Sequence, residues 1–160
     1  MTDIVQKVCQ FTEDLLDYSH NLILRGRDNF ERIDFSENYI VVDELVSVEQ
    51  STTQKFIGGE SRYLKTLNMT ASVTLDFYGS NALSNAQKWA TIKNMQAGIE
   101  LQQGLGINLK NVSSIRNLKA LTGSQYNNRY QVECIAWYNI ENEIEINPIE
   151  DLQFNIINEE

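Results

Sequence analysis

Residues 69–90 read MTASVTLDFYGSNALSNAQKWA, and this stretch predicts a strand, a turn and the start of a helix. Apolar side chains alternate with polar ones as far as residue 78, which is the pattern of a strand with one face in a core. The apolar set is Met69, Ala71, Val73, Leu75 and Phe77. Tyr78 and Gly79 then end the alternation. We interpret them as a structural turn, because glycine permits the backbone conformations that redirect a chain from sheet to helix.

A helix is predicted after this turn and should continue to about Gln102. Ser80 or Asn81 is placed to cap it, and Ser84 with Gln87 offers a rival capping box. The residues expected to face inward are Leu83, Ala86, Trp89, Ala90 and Ala97. Since alanine is small, this helix should lie close to a sheet.

Another helix is predicted near the start of the chain, from residue 2 to about residue 18. Ile4, Val8, Phe11 and Leu15 recur at the three- and four-residue spacing that places them on one helical face. Polar residues recur at the same spacing on the opposite face. This amphipathic helix needs a partner surface.

Two more strands complete the predicted fold. A β-branched run predicts extended structure over about residues 39–48. Residues 130–138 alternate with apolar side chains on both faces, which is typical of a central strand. Helix, strands, helix and strands in this order predict an α+β fold, in which two main helices pack on a mostly antiparallel β-sheet.

The chain length of 160 residues is normal for one hydrophobic core, so we expect a single domain over residues 1–160. Residues 50–61 should protrude from it as a loop or a hairpin arm. Residues 148–160 are expected to form an extended C-terminal tail, which either adds an edge strand or docks on a neighbour.

The segment from 50 to 61 is polar and lies between two strand patterns, so it is either a flexible loop or the tip of a long hairpin. Phe56 and Ile57 form an apolar pair next to Gly58 and Gly59, and these four are the candidate assembly contacts. We expect the segment to be poorly ordered in a free subunit and ordered against a neighbour. The alternative is an ordinary hairpin end whose Phe56 packs back on its own sheet. Deleting residues 52–59 should leave the monomer folded while weakening assembly.

The formal net charge of −9 disfavours non-specific binding to nucleic acid, which depends on Lys and Arg releasing counterions. An acidic surface would suit a wall past which DNA slides, although many proteins are this acidic for solubility alone. No stretch reaches the roughly 18 to 20 apolar residues that span a bilayer, and the first ten residues do not resemble a signal peptide. We therefore expect assembly in a cytoplasm and no membrane partner.

The candidate chemical groups do not form a catalytic pattern. His20 is the only histidine, and it is predicted at a helix end, where it would meet backbone carbonyls. Glu141, Glu143 and Glu145 should project from one face of a strand, which fits a solvated face better than an acid/base pair.

The remaining motifs are equally unspecific. Gly104 and Gly106 begin a dinucleotide fingerprint, but its third glycine is missing and it follows a helix. Cys9 and Cys134 lack the spacing of metal ligands, and both should be buried thiols. We expect no catalytic residue, no cofactor and no metal.

Several aromatic residues lie close together in sequence, namely Trp89, Tyr126, Tyr130, Trp137 and Tyr138. Such a set can stack nucleic-acid bases, but the overall acidity opposes that function. Aromatic residues at alternating strand positions more often fill a core or a subunit interface.

Three segments resemble the phage neck terminator family, which is related in role to the tail terminator and tail-completion proteins of tailed bacteriophages. They are LILRGRDNF at 22–30, TASVTLDFYGSNALSNAQKWA at 70–90 and RNLKALTGSQYNNRYQVECIAWYN at 116–139. The most specific piece is a strand followed by DFYG-x-x-A-x-x-x-A at 76–86, with Arg129 and Tyr130 opening a later strand. The resemblance covers residues 22 to 155.

This resemblance implies a tail-terminator-like sandwich and a structural virion protein of the neck or tail rather than an enzyme. Its copies would form a homo-oligomeric ring, commonly a hexamer, that caps the tail tube. One ring face would bind the tail tube protein and the other the head-tail connector or stopper protein, with DNA passing through the lumen without specific binding. Two rivals remain: another structural virion subunit, such as a tube or connector protein, and a small ligand-binding module or enzyme with no recognised motif.

Overall fold

A computed structural model describes residues 3–26, 38–57, 62–111, 113–122 and 125–145 of the chain. The helices are α1 (Ile4–Leu16), α2 (Ala82–Ile92) and α3 (Gln96–Leu105), and a short 3₁₀ helix covers His20–Leu22. The strands are β1 (Ile23–Arg25), β2 (Tyr39–Ile57), β3 (Arg62–Tyr78), β4 (Ile107–Asn111), β5 (Arg116–Asn117), β6 (Ala120–Thr122), β7 (Gln125–Asn127) and β8 (Arg129–Glu145).

The main sheet has the strand order β1-β2-β3-β8-β4, and β5 also pairs with β8. Among the described strands of this sheet, β1 and β2 are the one parallel pair, and the other neighbours are antiparallel. β6 and β7 form a separate two-stranded sheet. The α+β prediction is therefore confirmed, and so is the prediction that residues 130–138 form a central strand.

One face of the sheet forms the core together with the helices. On β3 this face carries Ala71, Val73, Leu75 and Phe77, all buried as the alternating pattern predicts. The strand register places further buried residues beside them, namely Ile40 and Val42 of β2 and Val132, Cys134 and Ala136 of β8. Burying these apolar side chains against the helices supplies the main driving force for folding.

α1 covers this face as the amphipathic pattern predicts. Its first turn is capped by Asp3, whose Oδ1 accepts a hydrogen bond from the backbone N–H of Gln6 at 2.8 Å. Its buried residue Phe11 meets Trp89 of α2 edge to face, with ring centroids 6.1 Å apart. The Trp89 indole N–H donates to the Thr12 hydroxyl at 3.1 Å, so the buried polar groups of both helices are paired.

The second predicted helix does not run unbroken to about Gln102; it is divided into α2 and α3 at residues 93–95. Lys93 is buried, and its Nζ donates to the backbone carbonyl of Leu109 at 2.9 Å. The side chain of Gln102 also contacts the break between the two helices. Its amide nitrogen donates to the carbonyl of Lys93, and its amide oxygen accepts from the backbone N–H of Leu109. These hydrogen bonds hold the break against β4. Burial lowers the pKa of the Lys93 amine.

The inward face predicted for this helix is only partly correct. Ala86 and Trp89 are fully buried, and Ala90 packs against the core. Leu83 and Ala97 are exposed instead: Leu83 lies off the buried side of α2 formed by Ala82, Ala86 and Trp89, and Ala97 follows the break. Asn81 precedes α2 without a side-chain cap of its own; its backbone N–H donates to the Asn38 side chain at 2.7 Å.

The strands extend well beyond their predicted ends. β2 continues to Ile57 where the prediction ended it at 48, and residues 50–57 are strand rather than flexible loop. β8 likewise continues to Glu145. Two irregularities of register in β2, at Leu45 and Gln50, bend the strand without ending its pairing with β3.

The distal parts of the three long strands form a ribbon that we call the arm. It comprises residues 51–57 of β2, 62–68 of β3 and 139–145 of β8, paired in that order. At a rise of about 3.4 Å per residue, it is roughly 24 Å long. None of its side chains is buried, so the arm has no core of its own.

Candidate functional site

The arm has an exposed row of apolar side chains on the same face as the core. The register places Phe56, Tyr63 and Ile144 directly opposite one another across the three strands. Their exposed fractions are 56%, 41% and 53%, and the rings of Phe56 and Tyr63 lie 5.1 Å apart. We call these three residues the apolar row.

The opposite face of the arm is charged, with three glutamates against Lys55 and Arg62. Glu141, Glu143 and Glu145 are all exposed and lie at alternate positions of β8, so they share this face as the sequence predicts. Glu143 pairs with Arg62 at 2.7 Å, and the register aligns it with Leu64 and then Lys55 across the ribbon. The arm is therefore apolar on one face and charged on the other.

A second exposed apolar set lies nearer the body of the sheet, on the face turned away from the core. Val46 and Val48 of β2 and Trp137 of β8 share this face with Ser72 and Thr70 of β3. We call Val46, Val48 and Trp137 the open-face patch. Exposed apolar side chains grouped in this way mark a surface suited to protein contact.

Next to the open-face patch, on the side away from the arm, the same face of the sheet forms a depression of about 620 Å³. Asp76 lies in this depression, and its carboxylate accepts three hydrogen bonds. Two come from Nε and Nη2 of Arg129, each at 3.0 Å, and one comes from Nε2 of Gln131 at 3.1 Å. The hydrogen bond to Asp76 raises the pKa of Arg129, which keeps the guanidinium charged. This carboxylate is occupied by its own chain, and the bonds serve to join β3 to β8.

Aromatic rings extend this network toward the turn after β3. Tyr39 and Tyr78 stack with centroids 4.5 Å apart and planes 6° apart, and Arg129 lies 5.6 Å from the Tyr78 centroid. Burial raises the pKa of both tyrosines. The depression is therefore lined by paired charges and stacked rings.

Gly79 follows directly and adopts a φ of +97°. A Cβ atom at this position would lie 2.8 Å from the Cα and 2.5 Å from the Oδ1 of Asn38. Such a φ is rare for residues with a side chain, and the space is taken by the backbone and side chain of Asn38. The chain turns here from β3 toward α2 with Tyr78 as the last strand residue.

The four candidate assembly contacts are distributed as follows. Phe56 lies in the apolar row, and Ile57 is half-buried at the end of β2. Gly58 and Gly59 lie outside the described residues. Phe56 contacts Tyr63 of its own hairpin yet stays mostly exposed, so the hairpin alternative describes this segment better than a flexible loop does.

Sequence reasoning did not single out Tyr63, Ile144 or the open-face patch as contacts, although it expected Trp137 in a core or a subunit interface and Ile144 on the apolar reverse of the glutamate face. A usable signal was present for the first two, because Tyr63, Leu67 and Met69 extend the alternation of β3 backwards and Ile140 and Ile144 extend that of β8 forwards. The open-face patch had no such signal, because Val46 reaches its face only through the irregularity at Leu45.

The candidate chemical groups each have their own surroundings. His20 is exposed, and its Nδ1 lies 2.9 Å from Glu13 Oε2. Cys9 and Cys134 are both buried thiols as predicted, and burial raises the pKa of Cys134 to about 12. Over the described ranges, no three His, Cys, Asp or Glu side chains are grouped to hold a metal ion. Of the helices in these same ranges, none has the length and apolar character needed to cross a bilayer.

No curated protein matches the chain. The family model described as "Phage neck terminator protein" matches residues 2–160, which is essentially the whole chain and includes every segment on which the resemblance rested. A match of this extent shows that the chain belongs to the phage neck terminator protein family and is a structural component of the neck of a phage particle.

Proposed function

We propose that this protein forms a closed ring that caps the tail tube and joins it to the head-tail connector. The observation that supports this most is the arm, which carries no buried side chain and presents the apolar row to its surroundings. An arm of this kind gains little by folding on its own, and its apolar side chains favour contact with another chain. Membership of the neck terminator family supplies the location for that contact.

A ring follows from the use of two different surfaces by identical subunits. When one surface of a chain binds a different surface of the next copy, the assembly either closes into a ring or grows without limit. The arm offers two such surfaces, because its two outer strands, β2 and β8, are different. A terminator must be of the closed kind, because an open assembly would extend the tail. We expect a hexamer, with the tail tube protein on one ring face and the connector or stopper protein on the other.

Passage of DNA through the ring is compatible with the charge of the protein. The net charge of −9 and the glutamates on the charged face of the arm repel phosphates, so a lumen lined by such surfaces would not bind the DNA that passes through it. We assign that lining to the face carrying Glu141, Glu143 and Glu145, because the helices lie on the other face of the same sheet.

The oligomeric state of the purified chain provides the first test. We expect light scattering coupled to size exclusion to give one discrete mass, a fixed multiple of 18.4 kDa that does not grow with concentration. A monomer at high concentration would contradict spontaneous ring formation. Long tubes formed by the chain alone would instead identify a tail tube subunit, the principal structural rival.

A further inference from the structure

The arm has two strand edges that pair with no other strand among the described residues. The described pairing of β1 with β2 covers residues 40–42 of β2, and along the arm, residues 51–57, the outer edge of β2 carries no described strand. On the other side, β4 and β5 pair with β8 only at residues 130–138, which leaves the outer edge of residues 139–145. Edges of this length present backbone N–H and C=O groups to any strand that fits them.

We propose that the β8 edge of one arm pairs with the β2 edge of the arm of a second copy, which closes the arms of the ring into a continuous barrel. This proposal rests on the ring of the proposed function and adds the surface that forms it. The two edges belong to different strands, so the contact is of the head-to-tail kind that a ring requires.

Strand direction permits this pairing around a ring. β2 and β8 are both antiparallel to β3, so they run in the same direction. Successive copies in a ring are related by rotation about an axis, and if that axis runs along the arm, the strand direction is the same in every copy. β8 of one copy then lies parallel to β2 of the next copy. Closure removes every free edge of the arm, which is the most complete protection a sheet can have.

The side chains along the two edges are complementary in the register that places the apolar row of one copy level with the apolar row of the next. Phe56 and Ile144 stand at opposite ends of the apolar row, so pairing brings Ile144 beside Phe56 of the next copy. The apolar rows of all copies then join into one belt. Contact between these two side chains removes apolar surface that each free subunit leaves exposed.

Charge complementarity appears one residue along each strand from the apolar row, on the opposite face of the arm. Lys55 and Glu143 stand at its two ends, with Leu64 between them. In one subunit they lie about 10 Å apart, two strand spacings, which is too far for an ion pair. Pairing brings Glu143 beside Lys55 of the next copy. Like charges at these positions would have blocked the pairing, as charged edge residues commonly do.

Disulfide cross-linking between copies tests this contact. Lys55→Cys and Glu143→Cys are made as separate variants, mixed under denaturing conditions, refolded together and oxidised. We expect the mixture to give a dimer of twice the 18.4 kDa chain mass, and neither variant alone to do so, because each interface holds one residue of each kind. A short bismaleimide serves as a second linker in case the rows are offset. The native cysteines can remain, since both are buried.

A pair on the helices supplies the matched control. Lys88→Cys and Glu100→Cys make the same chemical changes at exposed positions of α2 and α3. Mixing them should give no dimer above the background of each variant alone.

The outcomes separate this proposal from the proposed function. A discrete ring by light scattering with dimer only in the Lys55/Glu143 mixture supports the edge contact. A ring that gives no dimer with either linker overturns the edge contact and leaves the terminator function standing, as it would if residues 146–160 or another protein occupied the β8 edge. Dimers from one variant alone would show a symmetric contact and also overturn it. A monomer that forms no cross-link contradicts both.

Discussion

Replacing Gly79 by valine is expected to abolish folded, soluble protein. The φ of +97° at this position is unfavourable for any residue with a side chain by about 1–3 kcal/mol, and most so for a β-branched one. The new Cβ would also overlap the Cα of Asn38. Asn38 cannot move freely, because its side chain accepts from the N–H of Asn81 and its carbonyl accepts from the Tyr18 hydroxyl.

The whole effect should therefore exceed about 3 kcal/mol, a large part of the 5–15 kcal/mol that stabilises a typical domain. The measurement is the soluble fraction after expression, followed by circular dichroism melting of whatever remains soluble. A Gly79→Val variant as stable as the wild type would show that the turn between β3 and α2 does not need glycine.

A second glycine offers a control with the opposite expected sign. Gly104 lies in α3, and a Cβ there would meet no atom within 4 Å. Gly104→Ala should therefore raise the free energy of unfolding by about 0.5–1 kcal/mol through helix propensity. Gly79→Ala makes the same chemical change and should lower it. Opposite signs from identical substitutions would attribute the loss to the conformation and space at Gly79.

Deleting residues 52–59 is expected to prevent assembly while leaving a folded monomer. The described part of this stretch, residues 52–57, contributes no buried side chain, and Tyr39 to Ser51 keep their places in the sheet. Exposed cross-strand pairs contribute about 0.2–1 kcal/mol each, so melting should remain cooperative and fall by roughly 5–10 °C. Assembly should be lost because the deletion removes Phe56 from the apolar row and Lys55 from the arm edge.

Size-exclusion chromatography and circular dichroism melting on the same sample separate the two effects. Unfolding of the deletion variant would show that the arm is part of the folding unit, and intact assembly would show that the arm is not the contact. Two point variants refine the result. Phe56→Ser should weaken assembly, whereas Leu83→Ser, which removes a comparably exposed apolar side chain from α2, should leave it unchanged.

The sequence predicts the elements whose pattern is local. The spacing of Ile4, Val8 and Phe11 locates α1, and the alternation through Val73 and Leu75 locates the core of β3, because each pattern directly reflects the side facing the core. Predicting these elements required no information about the elements that pack against them.

The break between α2 and α3 could not be predicted in the same way. It is held by bonds from Lys93 and Gln102 to Leu109, which is 16 and 7 residues away, respectively. Continuous helical spacing through residues 82–102 gives no sign of such contacts. Tertiary hydrogen bonds here override local propensity.

The arm shows the same limit for the candidate site. Residues 51–54 are polar and have no alternating apolar pattern, yet they form a strand because β3 pairs with them. Phe56 was identifiable as an isolated apolar residue in polar surroundings. The apolar row was not, since Tyr63 and Ile144 reach Phe56 only through the register of three strands.

Tube growth provides the most direct test of the central claim that this protein terminates a tail. The tail tube protein of the same phage would be polymerised with and without the purified chain, and tube lengths would be measured by electron microscopy. We predict that the chain stops elongation and appears as a distinct ring at one end of each tube, and that the variant lacking residues 52–59 does neither. Tubes of unchanged length with no terminal ring, in the presence of folded wild-type protein, would contradict the account.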